Sequence, residues 1–148
     1  MDLSIIIKTE NPRIIYKKYR RKRNKTRLQM EYNNHILLYN LYKTNNFKYL
    51  RIPKPYELTN RGYYMEYIDS YDKHTENIED CSENFQKEYK KYSNLVRDKG
   101  YILNDVEFMI CDDVVYIIDF DKLGIIKGDY YIIPGLFDKN KEIYKLRL

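Results

Sequence analysis

The sequence predicts an α+β fold in which a small antiparallel sheet with one helix is joined by a hinge to a second helix and a β-hairpin. Apolar, β-branched runs at Leu3–Lys8 and Arg13–Tyr19 flank a Thr-Glu-Asn-Pro turn, which is typical of a hairpin. Arg27–Lys43 contains neither Pro nor Gly and places apolar residues at helical spacing. Two more apolar runs, within Phe108–Phe120, surround the polar turn Asp112-Asp113.

The segments between these elements complete the predicted organisation. Tyr56–Leu58 and Tyr63–Ile68 are predicted strands that follow a Pro-rich extended passage, and Asn84–Asp98 is predicted to be the second helix. Residues 69–83 are polar and acidic without periodicity, which favours a linker. We therefore expect a sheet and helix in 1–68, a hinge in 69–83 and a reduced second lobe in 84–148.

Composition limits the class of protein. Hydrophobic residues make up 43% and charged residues 33% of the 148 positions, which is typical of one globular domain. The longest apolar runs, Ile5–Ile7 and Val114–Ile118, are far shorter than the roughly 20 residues of a membrane span. We expect a cytoplasmic protein without membrane association. Cys81 and Cys111 are too few for a disulfide framework or a zinc site.

The net charge of +5 is concentrated in the run Lys17–Arg27. Such a run can neutralise the phosphates of a nucleic acid or of a nucleotide, and it is also compatible with the solvated start of a helix. Both interpretations stay open on the sequence alone.

Carboxylates gather at the end of the second predicted hairpin. Asp119 and Asp121 flank Phe120 directly after the apolar run Val114–Ile118, and Asp105 precedes the hairpin. Carboxylates at the end of a buried strand are costly unless something compensates their charge, and a divalent metal ion is one such partner.

The order of these features resembles the protein-kinase-like superfamily from about Ile14 to Leu123. It is most similar to the small atypical branches: the RIO-type kinases, the tRNA-modification kinase of the KEOPS complex and the lipopolysaccharide-core sugar kinases. The resemblance implies a two-lobed fold with ATP and Mg²⁺ as cofactors. It also leaves room for a protein partner.

Two lysines match the strand lysine that contacts nucleotide phosphates in this superfamily. Lys17 is favoured over Lys18, because strand alternation places Lys17 on the face of Ile15, which suits an adenine pocket. Glu31 matches the helix glutamate that pairs with this lysine. We expect Lys17 and Glu31 to form an ion pair that faces a cleft lined also by Asp119. In a plainer interpretation, both are ordinary surface charges.

The other site residues also follow from the resemblance. The backbone of Glu66, Tyr67 and Ile68 corresponds to the hinge that binds an adenine edge. Asp105 occupies the place of the catalytic base, and Asp119 that of the metal-binding aspartate, with Glu107 as a further oxygen ligand. Asp105 is equally compatible with a turn residue, and Asp119 with the polar end of a strand.

The sequence also departs from the superfamily. No glycine precedes Gly62, so the Gly-rich phosphate loop is missing, and the metal-binding Asn after Asp105 is absent. These departures favour a pseudokinase that binds or regulates, whereas the retained Lys17, Glu31, Asp105 and Asp119 favour an active phosphotransferase. A nucleic-acid-associated protein that uses the Lys17–Arg27 run is a third hypothesis.

Overall fold

A computed structural model describes residues 4–19, 25–134 and 143–145. In these ranges the chain forms the helices α1 (Lys25–Lys43) and α2 (Glu83–Asp98) and a 3-10 turn at Ile78–Asp80. The strands are β1 (Ser4–Lys8), β2 (Ile14–Tyr19), β3 (Leu50–Arg51), β4 (Pro55–Leu58), β5 (Gly62–Glu66), β6 (Lys73–Thr75), β7 (Tyr101–Ile102), β8 (Glu107–Cys111), β9 (Val114–Ile118), β10 (Gly124–Lys127), β11 (Tyr130–Ile132) and β12 (Ile143–Lys145). The predicted α+β class is confirmed, and the kinase-like fold stays a prediction.

The first sheet carries the predicted N-terminal hairpin. Its strand order is β1-β2-β5-β4, and all its neighbouring pairs are antiparallel. Lys17 in β2 lies opposite Ile6 of β1 and Tyr63 of β5. Gly62 lies opposite Lys18, and a Cβ there would approach the Lys17 carbonyl oxygen to 2.1 Å. The absent side chain therefore lets β2 and β5 meet beside the predicted site.

Helix α1 packs on this sheet with a face that the sequence predicted in part. The apolar spacing predicted a face of Leu28, Tyr32, Ile36 and Tyr39, widened by Leu38 and Leu41. The buried residues are Leu28, Glu31, His35 and Leu38, so the two buried leucines were predicted and the two polar residues were not. Two polar residues thus occupy the centre of the buried face. They can do so because each is hydrogen-bonded there, as described below.

The second sheet has the order β3-β9-β8-β6 and contains the predicted hairpin of β8 and β9. Residues 69–83 were expected to be a linker, but β6 within them pairs with β8, and His74 lies opposite Met109. Short β3 pairs in parallel with β9. Glu88 of α2 fixes the chain before β3, because its carboxylate accepts the N–H groups of residues 48–50 at 2.6–2.9 Å. The three-segment division of the chain stays a prediction.

The strands that follow Phe120 form a third sheet together with the earlier strand β7, in the order β12-β11-β10-β7. Most of the core lies under the second sheet, where Phe85, Tyr92 and Val96 of α2 pack with Val115 and Ile117 of β9. A smaller cluster lies between α1 and the first sheet. In the described part of the chain, no helix is long and apolar enough to cross a membrane.

Replacement of Gly62 by alanine should destabilise the protein by about 2–3 kcal/mol, because the new methyl group would collide with backbone rather than with a flexible side chain. Gly128→Ala is the matched control: its φ of 69° strains an alanine, yet nothing lies within 4 Å of the added carbon. We expect that control to cost about 1 kcal/mol. Urea unfolding measures both, and equal losses would show that the strands do not need Gly62 for their close approach.

Candidate functional site

A cleft of about 630 Å³ lies between the first and second sheets. Its apolar part is lined by side chains from both sides, among them Ile15 and Met65 of the first sheet and Met109 and Ile118 of the second. Its polar part holds Lys17, Glu31, Asp105, Glu107, Asp119 and Lys122. One cleft therefore joins an apolar wall to a cluster of charged groups.

Lys17 and Glu31 form the expected ion pair, with 2.5 Å between Nζ and Oε1. Glu31 is only 2% exposed, so water hardly reaches its carboxylate. Its second oxygen, Oε2, accepts a hydrogen bond from the hydroxyl of Tyr19. Tyr19 stays protonated for this purpose, because burial and then the Glu31 charge raise the pKa of its hydroxyl. Both oxygens of the buried carboxylate are thus satisfied.

Lys17 also reaches Asp119, at 3.4 Å between Nζ and Oδ1. Burial is the largest influence on the lysine and would lower its pKa, but Glu31, Tyr63 and Asp119 outweigh it. The pKa of Lys17 is therefore well above its usual value. The lysine is a permanent cation at the point where the helix, the sheet and the end of β9 meet.

His35 lies one turn after Glu31, and its ring is neutral and held in one tautomer. Its Nε2 lies 2.7 Å from the Pro53 carbonyl oxygen, and its Nδ1 lies 2.9 Å from the Tyr63 hydroxyl. A carbonyl only accepts, so Nε2 carries the proton and Nδ1 accepts from Tyr63. Burial is the main cause that lowers the pKa of His35 to about 3. The His35 ring also packs against the Phe120 ring, with 4.9 Å between the ring centroids.

Asp119 and Glu107 face each other at the end of the β8–β9 hairpin. Burial, followed by the charge of Asp119 within hydrogen-bonding reach, raises the pKa of Glu107, while His74 opposes this rise. His74 contacts the Glu107 carboxylate through Nε2. In the described residues, no group of three or more His, Cys, Asp or Glu is arranged to hold a metal ion. Glu107 and Asp119 are thus two neighbouring carboxylates without a third protein ligand among the described residues.

Asp105 lies at the rim of the cleft. Its side chain is 53% exposed, and Lys122 donates to its Oδ2 over 2.7 Å. Asp105 and Asp119 have φ angles of 53° and 65°, in the left-handed region that non-glycine residues rarely occupy. Strained backbone of this kind is more frequent at functional sites, although aspartate tolerates it better than most residues.

The expected hinge is only partly free to bind a ligand. The N–H of Glu66 donates to the Lys54 carbonyl, and the N–H of Tyr67 donates to the Arg13 carbonyl, both over 2.8 Å. No partner is found for the Ile68 N–H among the described residues. Of the three predicted N–H groups, that of Ile68 is the one available for an adenine edge.

The alternative lysine and the basic run also find their places. Lys18 does not line the cleft, as strand alternation predicted. Arg27, at the end of the Lys17–Arg27 run, pairs with Asp121 over 3.1 Å beside the cleft. Residues 20–24 of the run lie outside the described residues. Lys17 and Arg27, the two ends of the run, thus both line the cleft.

Several residues of this network were missed by sequence reasoning. Tyr19, Tyr63 and His35 complete the polar core, and Asn34 fixes the end of β9 by donating to the Phe120 carbonyl over 2.7 Å. The spacing of Glu31 and His35, four residues apart on a helix, was the signal for a shared polar face.

No protein-family model, curated protein or solved structure matches this chain.

Acid should destabilise the protein through His35. Its folded pKa of about 3 lies below its unfolded value near 6.5, so the unfolded chain binds the extra proton and stability falls as the pH drops between these values. The expected contribution to the slope is about 1.4 kcal/mol per pH unit. His35→Gln retains a donor and an acceptor but cannot titrate. Unfolding free energies from pH 7 to pH 4 should fall less steeply in this variant, and equal slopes would show that His35 does not set them.

Proposed function

We propose that the cleft binds ATP with Mg²⁺ and that the chain is a kinase-like phosphotransferase acting on a hydroxyl group. The observation that supports this most is the buried Lys17–Glu31 pair, which presents the lysine to Asp119 at the polar part of the cleft. A lysine oriented by a buried glutamate and placed beside a metal-binding aspartate is the arrangement that kinases use to position phosphates.

The charge balance of the cleft favours a nucleotide that arrives with a cation. Among the described residues, three cations, Lys17, Arg27 and Lys122, line the cleft together with seven carboxylates, although the whole chain carries a charge of +5. The carboxylates are Glu31, Glu66, Glu76, Asp105, Glu107, Asp119 and Asp121. A polyphosphate alone would be repelled by this surplus of negative charge. A divalent cation would offset the repulsion.

Asp119 and Glu107 fit the magnesium ion. Mg²⁺ in nucleotide sites is held by one or two carboxylates together with phosphate oxygens and water, so a complete protein cage is not needed. Burial and then the charge of Asp119 raise the pKa of Glu107, and a cation would offset the second of these effects. When bound, the ion would neutralise phosphate charge.

The remaining groups have roles that follow from their positions. Lys17 would hold a phosphate by charge, with Glu31 and Tyr19 fixing its direction. Ile15, Met65 and Met109 offer an apolar wall for the base, with the Ile68 N–H at its edge. Asp105 would orient the acceptor hydroxyl from the rim and accept its proton.

A binding module without catalysis is the second candidate. Lys122 already occupies one oxygen of Asp105, and no Gly-rich loop lies in the sequence before Lys17. A carboxylate held by a lysine is a weaker base, because the cation favours its ionised form. In this alternative the cleft binds a nucleotide as a structural or regulatory ligand.

Two aspartate variants separate the candidates. Asp105→Asn should lower ATP turnover by about 10²–10⁴-fold and leave nucleotide affinity nearly unchanged, because the orienting carboxylate acts on the hydroxyl. Asp119→Asn should weaken Mg²⁺-dependent binding as well, since a metal ligand acts in the ground state too. Asparagine tolerates positive φ, so the backbone is kept at both sites.

Asp113→Asn, in the exposed turn of the β8–β9 hairpin, is the matched control for this comparison and should match the parent protein. Turnover and calorimetric titration are measured for all proteins. If the parent binds ATP with Mg²⁺ but shows no turnover above background, and Asp105→Asn changes nothing, the chain is a binding module.

Glu107→Gln should stabilise the ligand-free protein while it weakens the effect of magnesium. Removal of one charge from the Glu107–Asp119 pair relieves the repulsion, so we expect the unfolding temperature at pH 7 to rise by about 2–4 °C, equivalent to about 0.5–1 kcal/mol. The gain in nucleotide affinity on adding Mg²⁺ should shrink. Glu57→Gln, an exposed carboxylate in β4, is the control. A lower unfolding temperature with an intact magnesium effect would contradict the assignment of Glu107.

A further inference from the structure

The edge of the first sheet exposes an unusual run of apolar side chains. Ile5, Ile6 and Ile7 in β1 are 37%, 55% and 39% exposed. The other large hydrophobic side chains with comparable exposure among the described residues are Tyr71, which lines the same cleft as Ile6, and Tyr130. Soluble proteins usually protect edge strands with charges, proline or bulges, and an unprotected apolar edge is a template for another strand.

The free backbone groups of β1 can be assigned from the sheet register. Tyr19 donates to the Arg61 carbonyl over 2.7 Å, and Tyr67 donates to the Arg13 carbonyl over 2.8 Å, so odd-numbered residues of β2 point their backbone groups to β5. Even-numbered residues of β2 therefore point to β1, where Tyr16 lies opposite Ile7. By the same alternation, Ser4, Ile6 and Lys8 direct their N–H and carbonyl groups to the open edge.

We propose that β1 pairs with β1 of a second copy in an antiparallel, two-fold symmetric arrangement centred on Ile6. In this register Ile6 faces Ile6, and Ser4 of each copy faces Lys8 of the other. Every free backbone group of the strand then meets a partner. A register shifted by two residues still places the free residues of one strand opposite the free residues of the other, but it leaves some of their N–H and carbonyl groups unpaired. A register shifted by one residue places free residues opposite residues whose backbone groups already bond to β2.

Side chains also favour a second copy in this register. Ile5 of each molecule lies opposite Ile7 of the other, so the apolar side chains cover one another on both faces of the joined sheet. The charged residue of the strand, Lys8, is kept at the two ends and never opposes itself. The interface is short, and we expect a dissociation constant in the micromolar range. Ile6 also lines the cleft beside Lys17, whereas Ile5 and Ile7 lie on the other face of the strand.

Cysteine cross-linking tests the register directly. In a Cys111→Ser background, a mixture of the Ile5→Cys and Ile7→Cys proteins should form a disulfide-linked dimer of the two different chains, because these positions form the closely spaced non-hydrogen-bonded pair. Neither protein alone should cross-link at a comparable rate, and Tyr71→Cys should not cross-link with either. Rapid cross-linking of Ile5→Cys with itself, or equal rates for all mixtures, would overturn the proposed register.

Sedimentation of the intact protein from about 1 µM to about 200 µM should show a reversible monomer–dimer equilibrium. Ile6→Pro removes an N–H that points to the open edge, so it should raise the dissociation constant of the dimer at least tenfold. Proline is tolerated on an edge strand, so the monomer should still fold. Ile6→Val keeps that N–H and should dimerise like the parent, and circular dichroism checks that both variants are folded. A parent protein that stays monomeric over this range, or one that assembles beyond two copies, would overturn the proposal.

Discussion

The ion pair between Lys17 and Glu31 is the interaction on which the arrangement of the cleft depends. It links β2 to α1, the next element in the chain, and Asp119 extends it to the end of β9, 102 residues beyond the lysine. Burying two charges costs several kcal/mol per ion, and an apolar pair of similar volume often gives equal stability. A buried ion pair at the wall of a cleft is therefore better explained by what it presents to a ligand than by its contribution to folding.

The neighbours of this pair show how the protein offsets its cost. Tyr19 satisfies the second oxygen of Glu31, and neutral His35 adds no further charge beside it. Asn34 ties the Phe120 carbonyl to α1, which fixes the aspartates on either side. Among the described residues, the polar groups of α1 thus form three separate hydrogen-bonded groups, around Glu31, His35 and Asn34. The group of Glu31 reaches Asp119 through Lys17. Buried polar groups rigidify a site when all of them are satisfied.

Local sequence patterns predicted the two hairpins, and strand alternation chose Lys17 over Lys18, because both depend on near neighbours. Periodicity predicted α1 and its buried leucines but not Glu31 and His35, which are polar and yet buried. The approach of Glu31 to Lys17 was expected from the resemblance alone. Strand β6 was not predicted because its residues are polar and show no apolar alternation, and the strand forms by pairing with β8. The Lys122–Asp105 contact joins residues 17 apart, and no local rule brings them together.

The cleft also shows how phosphates could be held without a Gly-rich loop. Lys17, Arg27 and Lys122 approach it as side chains, each already paired with a carboxylate, so a polyphosphate must exchange these partners. In the proposed site, this exchange would make the affinity for a nucleotide depend on the divalent cation more strongly than in a site built from backbone N–H groups.

Calorimetric titration of the protein with ATP, with and without Mg²⁺, and with adenosine for comparison, tests this account most directly. The account predicts saturable binding of ATP with Mg²⁺, at least tenfold weaker binding without the ion, and weak binding of adenosine that does not respond to it. Absence of binding at millimolar ATP with Mg²⁺, or affinity for ATP that is the same with and without the ion, would contradict it.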